Sequence, residues 1–109
     1  MAILEDFLTL DLRVGTVVSA RRLRGARKPT LSLSINFGEL GTKTSSAQIT
    51  DLYEPEELVG LQVVAIVNVP VRRVAGFDSE VLVLGAENER GENILVMPER
   101  PVPDGMKVH

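Results

Sequence analysis

The chain has 109 residues, of which 44% are hydrophobic and 25% are charged, and its formal net charge at pH 7 is −3. This length and composition are typical of one globular domain, so we expect residues 1–109 to form a single unit. The absence of cysteine excludes disulfides, thiolate metal sites and cysteine nucleophiles. No apolar run approaches the roughly 18 residues of a membrane span. The acidic start of the chain is unlike a signal peptide, which predicts a cytoplasmic protein that does not insert into membranes.

Basic residues are concentrated in the first half of the chain, although the chain is acidic overall. Seven Lys and Arg residues lie between positions 13 and 43, against Glu39 as the one acid there. Segregated charge of this kind attracts a polyanion locally. The alternative is a solvated basic loop, and the salt dependence of binding separates the two interpretations.

The first half of the sequence predicts a short helix followed by three strands. Apolar residues at helical spacing predict an amphipathic helix over 3–10, which is too short to be stable unless it docks on something. The pattern predicts strands over 13–21, 30–37 and 42–49. The strand 30–37 alternates apolar and polar residues and therefore has one buried face. The strand 42–49 is polar on both faces, so it is either an edge strand or its hydroxyls have partners.

The second half predicts one helical turn within 51–60 and three further strands. These strands cover 61–69, 81–84 and 94–97, and a polar hairpin loop at 85–92 separates the last two. Several short strands joined by turns are typical of a small antiparallel barrel. The fold class is therefore all-β.

The last three predicted strands are apolar on nearly both faces, whereas a strand of a small barrel has one polar face. This excess of apolar residues indicates a second buried surface. The surface is either covered by the N-terminal helix and the C-terminal tail or forms a dimer interface or a groove for another chain. We expect a homodimer, to which helix 1–10 and tail 98–109 contribute.

The residues that enzymes commonly use for catalysis are missing. The only histidine is His109, so an internal histidine or cysteine is not available as a base or a nucleophile. No glycine-rich phosphate loop and no metal-ligand spacing occurs in the sequence. We therefore expect no enzymatic activity, no metal and no cofactor.

Binding of a nucleic acid requires cations, small polar groups and often a flat side chain for stacking. Cations and small polar groups are abundant before position 50, but the chain has no Trp, one Tyr and three Phe. We expect Phe7 and Phe37 in the core, which leaves Tyr53 and Phe77, the latter as an exposed ring on a loop. This shortage of aromatic side chains disfavours a general single-strand binder and favours a folded RNA recognised by shape and backbone.

Five sequence segments occur in an order that resembles a known family. They are Asp-Leu-Arg-Val-Gly at 11–15, Phe-Gly at 37–38, Ser-Ser-Ala-Gln-Ile-Thr at 45–50, Asn-Val-Pro at 68–70 and Arg-Arg-Val-Ala-Gly-Phe-Asp-Ser-Glu-Val-Leu-Val-Leu-Gly at 72–85. Together they resemble the tRNA-binding domain that occurs free in bacteria and attached to methionyl-tRNA synthetases. The segments at 45–50 and 72–85 are most similar to its free-standing CsaA-type members. The resemblance covers nearly the whole chain.

The resemblance implies a five-stranded OB-fold barrel with N-terminal and C-terminal extensions that build a homodimer. It also implies two activities, which are binding of tRNA and a chaperone activity towards unfolded or export-destined polypeptides and the export machinery. The alternative is a dedicated tRNA-binding protein without a chaperone role. The resemblance and the basic segment together give the candidate nucleic-acid-binding residues Arg13, Arg21, Lys28, Lys43, Ser45, Ser46, Gln48, Arg72, Arg73, Phe77, Ser79 and Glu80.

Two pairs of these candidates carry alternatives. Ser79 and Glu80 either face a ligand or bond backbone groups to shape their loop. Arg72 and Arg73 are adjacent, and neighbouring residues of a strand point to opposite faces. We therefore expect one arginine to reach the ligand and the other to pair with an acid.

Overall fold

Short strands dominate the structure, a computed structural model that describes residues 1–109. The elements are α1 (Leu4–Leu8), β1 (Leu12–Arg22), β2 (Leu31–Asn36), β3 (Thr42–Ala47), α2 (Pro55–Leu58), β4 (Gln62–Ile66), β5 (Arg72–Val74), β6 (Phe77–Ser79), β7 (Leu82–Val83), β8 (Gly85–Glu87) and β9 (Asn93–Leu95). Five strands form one antiparallel sheet in the order β3-β2-β1-β4-β7, and two small hairpins, β5–β6 and β8–β9, complete the fold. A 3₁₀ turn at Gly38–Leu40 joins β2 to β3.

The long strand β1 organises the sheet because it pairs with a different neighbour at each end. Its first residues pair with β4, and its last residues pair with β2. The β2 register shifts between Val17 and Ser19, an irregularity of the kind that bends a strand and increases its twist. This bend turns the sheet back on itself and confirms the predicted antiparallel barrel.

The barrel is nearly closed by the segment that follows β6. The backbone N–H groups of Glu80 and Val81 donate to the Thr44 carbonyl oxygen at 2.8 and 3.1 Å. On the same edge, Ser79 Oγ accepts the Ser46 N–H at 2.9 Å. The polar strand β3 is therefore the last strand of the sheet, and its outer edge is satisfied by partners. The sequence predicted either an edge strand or a strand whose hydroxyls have partners, and β3 is both.

The core lies inside the barrel, and the alternation of β2 supplies much of it. Leu31, Leu33 and Ile35 are fully buried together with Phe37, as predicted. Gly15 of β1 lies against them, and a Cβ atom added there would lie 2.6 Å from Ile35 Cγ2 and 2.7 Å from Phe37 Cδ1. Only glycine fits at this position, because any side chain would displace the core residues.

A second, smaller apolar cluster covers the other side of the sheet. Leu12, Val14 and Val64 are buried there against Val102 and Val108 of the C-terminal tail. The tail runs beside β1, where Val14 N–H donates to the Met106 carbonyl and Val108 N–H donates to the Leu12 carbonyl. Cover by the tail therefore accounts for part of the excess apolar surface that the sequence predicts.

Helix α1 is largely uncovered in the single chain. It is shorter than the predicted 3–10, and none of its residues is buried. Leu4 is 70% exposed and Phe7 is 38% exposed. The prediction that Phe7 belongs to the core is wrong. A five-residue helix can bury its apolar side chains only against a second surface, and the single chain does not cover those of α1.

Candidate nucleic-acid interface

Four parts of the chain converge and form two adjoining clefts. They are the loop between β1 and β2, the end of β3 with the residues after it, the β5–β6 hairpin, and the stretch that holds β7, the start of β8 and β9. The first cleft, which we call the basic cleft, has a volume of about 440 Å³ and is lined by Gly25, Ala26, Arg27, Lys28, Thr30, Gln48, Arg73, Val74 and Ala75. The second cleft, called the mixed cleft, has a volume of about 330 Å³ and is lined by Thr30, Ser46, Ala47, Gln48, Ile49, Arg72, Val74, Leu82, Val83, Leu84, Gly85, Asn93 and Leu95.

The two clefts form one continuous surface because Thr30, Gln48 and Val74 line both of them. This two-cleft face lies between the loop that joins the first two barrel strands and the connection that joins the last two. In OB-fold barrels these two connections and the strands between them form the face that binds oligonucleotides.

A tight turn in the β5–β6 hairpin positions two arginines on this face. Ala75 and Gly76 form the turn between the paired residues Val74 and Phe77, and both turn residues have positive φ, 47° and 81°. Such a two-residue turn matches the twist of the strands it joins. The hairpin places Arg72 in the mixed cleft and Arg73 in the basic cleft. Sequence analysis placed Phe77 on a loop with an exposed ring, but Phe77 is the first residue of β6 and is half-buried.

Several cations of the face carry no ion pair. Four ion pairs occur in the chain, and one involves an arginine that lines the face, Arg73, which pairs with Asp78 at 2.6 Å. Arg27, Lys28 and Arg72 are exposed and have no carboxylate partner. These three cations are thus free to neutralise an anion. In the tail, the Arg100 guanidinium lowers the pKa of the neighbouring Glu99 carboxyl, but this pair is remote from the two clefts.

Three residues proposed from the sequence as ligand contacts are engaged within the fold. Ser45 and Ser79 are fully buried, so the expectation that their hydroxyls face a ligand is corrected. Ser45 Oγ donates to the Ser46 carbonyl, because alternation in β3 points this side chain into the barrel. Glu80 Oε1 accepts hydrogen bonds from Thr44 N–H at 3.0 Å and Thr44 Oγ1 at 2.9 Å. Ser79 and Glu80 therefore bond groups of β3, and a contact of Glu80 with a ligand stays a prediction.

Three candidate cations line neither cleft. Arg13 donates through Nε to Asp11 at 2.7 Å and through Nη1 to the Gly105 carbonyl at 3.0 Å, and it anchors the tail. Arg21 is exposed near the other end of β1, roughly 25 Å from Arg13 when the distance is taken along an extended strand. Lys43 is half-buried at the start of β3. The structure therefore brings together Lys28, Ser46, Gln48, Arg72 and Arg73 and leaves Arg13, Arg21 and Lys43 outside the clefts.

The clefts contain residues that sequence reasoning did not propose as ligand contacts. Arg27 belongs to the basic segment and was available from the charge pattern alone. Thr30 and Asn93 carry no sequence signal, since they meet only when the barrel closes. Tyr53, the other candidate for stacking, accepts the Leu95 N–H at its hydroxyl and packs against the core. No aromatic side chain lines either cleft.

Two features are absent from residues 1–109: a cluster of metal ligands and a helix that could span a membrane. No group of three or more His, Cys, Asp or Glu residues is arranged to hold a metal ion. Neither helix has the length and apolar composition needed to cross a membrane.

Comparisons with known proteins agree with this geometry. The model of a family described as "Putative tRNA binding domain" matches residues 12–107. The methionine–tRNA ligase of Bacteroides fragilis is 43% identical over 104 residues, which are 95% of this chain and 15% of the ligase. The chain thus spans about 15% of the length of the curated relatives that it matches.

Two crystal structures cover the whole chain. Chaperone CsaA from Bacillus anthracis is 57% identical, with a TM-score of 0.94 over 100% of this chain and 99% of that one. CsaA chaperone protein from Picrophilus torridus is 41% identical, with a TM-score of 0.92 over 100% of both chains. The fold is therefore the predicted OB-fold barrel, and the chain, which is similar to two CsaA chaperones, belongs to the tRNA-binding domain family.

Proposed function

We propose that this chain is a non-catalytic domain that binds folded tRNA across the two-cleft face. The observation that carries the proposal is the set of three unpaired cations, Arg27, Lys28 and Arg72, on two adjoining clefts of an acidic protein. Membership of a family described as a tRNA-binding domain supports tRNA as the polyanion.

Binding relies on phosphates more than on bases. The free cations neutralise phosphates and release counterions. Because no aromatic side chain lines the clefts, successive bases have no platform on which to stack. A folded RNA that is recognised by its shape and backbone suits this face better than an extended single strand.

We further propose that the functional unit is a homodimer. Helix α1 exposes Ile3, Leu4, Phe7 and Leu8, and a helix this short is not stable in water without tertiary contacts. A second copy that covers these side chains supplies those contacts, and symmetric pairing is the commonest solution for such a surface. The dimer presents two copies of the two-cleft face to one RNA.

A chaperone activity is the second candidate, and the apolar half of the mixed cleft favours it. Leu82, Val83 and Leu84 form an apolar wall beside exposed apolar residues, a surface suited to an extended unfolded or export-destined polypeptide. The two similar proteins whose crystal structures are described above are named chaperones. A dedicated tRNA-binding protein without this activity is the alternative.

Fluorescence-anisotropy titrations with bulk tRNA and with an unfolded precursor protein, each at low and moderate salt, test the proposal. We expect the tRNA affinity to fall steeply with salt, because the cations of the salt compete with the protein for the phosphates. A flat salt dependence or an absence of tRNA binding overturns the first candidate. Precursor binding that persists at moderate salt supports the chaperone candidate.

A further inference from the structure

We propose that the mixed cleft receives a single unstacked nucleobase of the bound RNA, with adenine preferred over uracil. This inference rests on the proposed function, because it assigns the part of the tRNA that the mixed cleft holds. The argument depends on the apolar walls of the cleft, on two side-chain amides at its edge and on the position of the cations beside it.

The walls and the size of the cleft suit one flat, weakly polar group. Leu82 and Leu84 from the β7 region and Ile49 after β3 form apolar walls. The volume of about 330 Å³ lies at the lower end of the range for small-ligand sites, which is about 300–1,000 Å³. Enzymes that extrude a base hold it between aromatic or apolar side chains, and RNA-binding proteins also stack unpaired bases on arginine planes.

Two amides give this cleft a hydrogen-bonding edge. Asn93 Nδ2 donates to the Gln48 carbonyl oxygen at 2.8 Å, which fixes the amide and leaves Asn93 Oδ1 free to accept. The Gln48 side-chain amide makes no hydrogen bond within the chain and offers both a donor and an acceptor. Adenine presents an amine donor beside a ring nitrogen acceptor and is the base that Asn and Gln pair with most readily. Uracil offers Asn93 Oδ1 a single donor, its N3–H, which is flanked by two carbonyl oxygens, whereas the adenine amine offers two N–H donors beside a ring acceptor.

The cations beside the mixed cleft are positioned to bind the phosphates of the same RNA strand. Arg72 lines the mixed cleft, and Lys28 and Arg27 line the basic cleft that joins it through Gln48. A base in the mixed cleft therefore has cations within reach of its own phosphate and of the adjoining one. An aliphatic peptide segment fits the same walls and its backbone can bond the two amides, but it brings no anion for the three cations.

The first test is an NMR titration of the ¹⁵N,¹³C-labelled protein with adenosine 5′-monophosphate, uridine 5′-monophosphate and ribose 5-phosphate. We expect the adenine nucleotide to shift the Asn93 side-chain amide and the Leu82 and Leu84 methyl signals, the uracil nucleotide to shift them less, and the sugar phosphate to leave them unchanged. Equal shifts with ribose 5-phosphate, or no shift of these signals with adenosine 5′-monophosphate, overturn the base site. Equal shifts with the two nucleotides overturn the adenine preference. Shifts with N-acetyl-leucinamide alone overturn the proposal in favour of a peptide.

The second test measures tRNA binding by Asn93→Leu, which keeps the size of the side chain and removes the amide. We expect about a tenfold loss of tRNA affinity, the scale of one base-edge contact, with an unchanged slope of log affinity against log salt. An unchanged affinity overturns the base site while leaving the proposed function intact. A wild-type protein that does not bind tRNA overturns the proposed function, and the nucleotide titration then still reports on the cleft.

Discussion

The hydroxyl oxygen of Ser79 lies 2.9 Å from the backbone nitrogen of Ser46 and accepts its hydrogen bond, although the two residues are 33 positions apart. Ser79 is fully buried. The contact replaces the backbone partner that Ser46 lacks at the outer edge of β3. It therefore helps to close the barrel and fixes the hairpin that carries Arg72 and Arg73.

Removal of this contact should destabilise the protein. We expect Ser79→Ala to lower the free energy of unfolding by about 1–3 kcal/mol, because the part-buried Ser46 N–H loses its partner. Urea denaturation followed by circular dichroism measures the change. Ser34→Ala is the matched control, since Ser34 is half-buried on β2 and its hydroxyl makes no hydrogen bond. Equal stability of the two variants would contradict the closing role of Ser79.

The regular part of the barrel was predictable from the sequence because it depends on local pattern. The alternation in 30–37 predicted which residues of β2 are buried, and the polar strand 42–49 was predicted to be an edge or to have hydroxyl partners. Ser45 was assigned to the wrong face because a small polar residue in a polar strand carries no hydrophobic signal. Its inward position is decided by register with Leu33 of β2.

The candidate site was predictable only in part, because it forms from segments that are far apart in the chain. The charge pattern and the arginine pair indicated Lys28, Arg72 and Arg73, which do meet at the clefts. The charge pattern also indicated Arg13, which forms an ion pair with Asp11 and does not line the clefts. The spacing of charged residues along the sequence does not give their distances in the folded chain. The sequence alone therefore could not separate the cations that line the clefts from those that do not.

The turn of the β5–β6 hairpin holds a strained alanine whose replacement should stabilise the protein. Ala75 is the only residue other than glycine with a positive φ, 47°. A left-handed conformation costs an L-residue with an ordinary side chain about 1–2 kcal/mol, whereas asparagine tolerates it well. We expect Ala75→Asn to raise the free energy of unfolding by about 1 kcal/mol, measured by thermal and urea unfolding. Ala86→Asn in β8 is the control and should bring no gain, so equal effects would argue against strain at Ala75.

The proposed contact of Arg73 with RNA would have to replace its ion pair with Asp78. The pair is 2.6 Å apart with both side chains more than half exposed, so its own contribution to stability is small, at most about 1 kcal/mol. We expect Asp78→Asn to raise tRNA affinity by up to about fivefold, because it frees a cation and removes a negative charge from the face. Glu99→Gln, which removes an acid from the tail, is the control and should change affinity little. A lower affinity of Asp78→Asn would show that the ion pair positions Arg73 for the ligand.

The salt dependence of binding identifies the cations that contact phosphates. For the double variant Arg27→Ala/Lys28→Ala, we expect weaker tRNA binding and a slope of log affinity against log salt that is shallower by about 2. The control Arg90→Ala/Lys107→Ala removes the same charge from exposed positions outside the clefts and should keep the wild-type slope. If both double variants lower the slope equally, the protein attracts tRNA through its overall charge and the two-cleft face has no special part.

The exposed helix α1 gives the proposed dimer its own test. We expect the wild-type protein to have twice the mass of one chain by light scattering at micromolar concentration, and Phe7→Asp to have the mass of one chain. A charge placed on the apolar side of α1 would be buried without a partner in the dimer, which costs several kcal/mol. Leu52→Asp is the control, because Leu52 is similarly exposed but lies in the loop before α2. A monomeric wild-type protein would contradict the dimer, and a dimeric Phe7→Asp variant would move its interface away from α1.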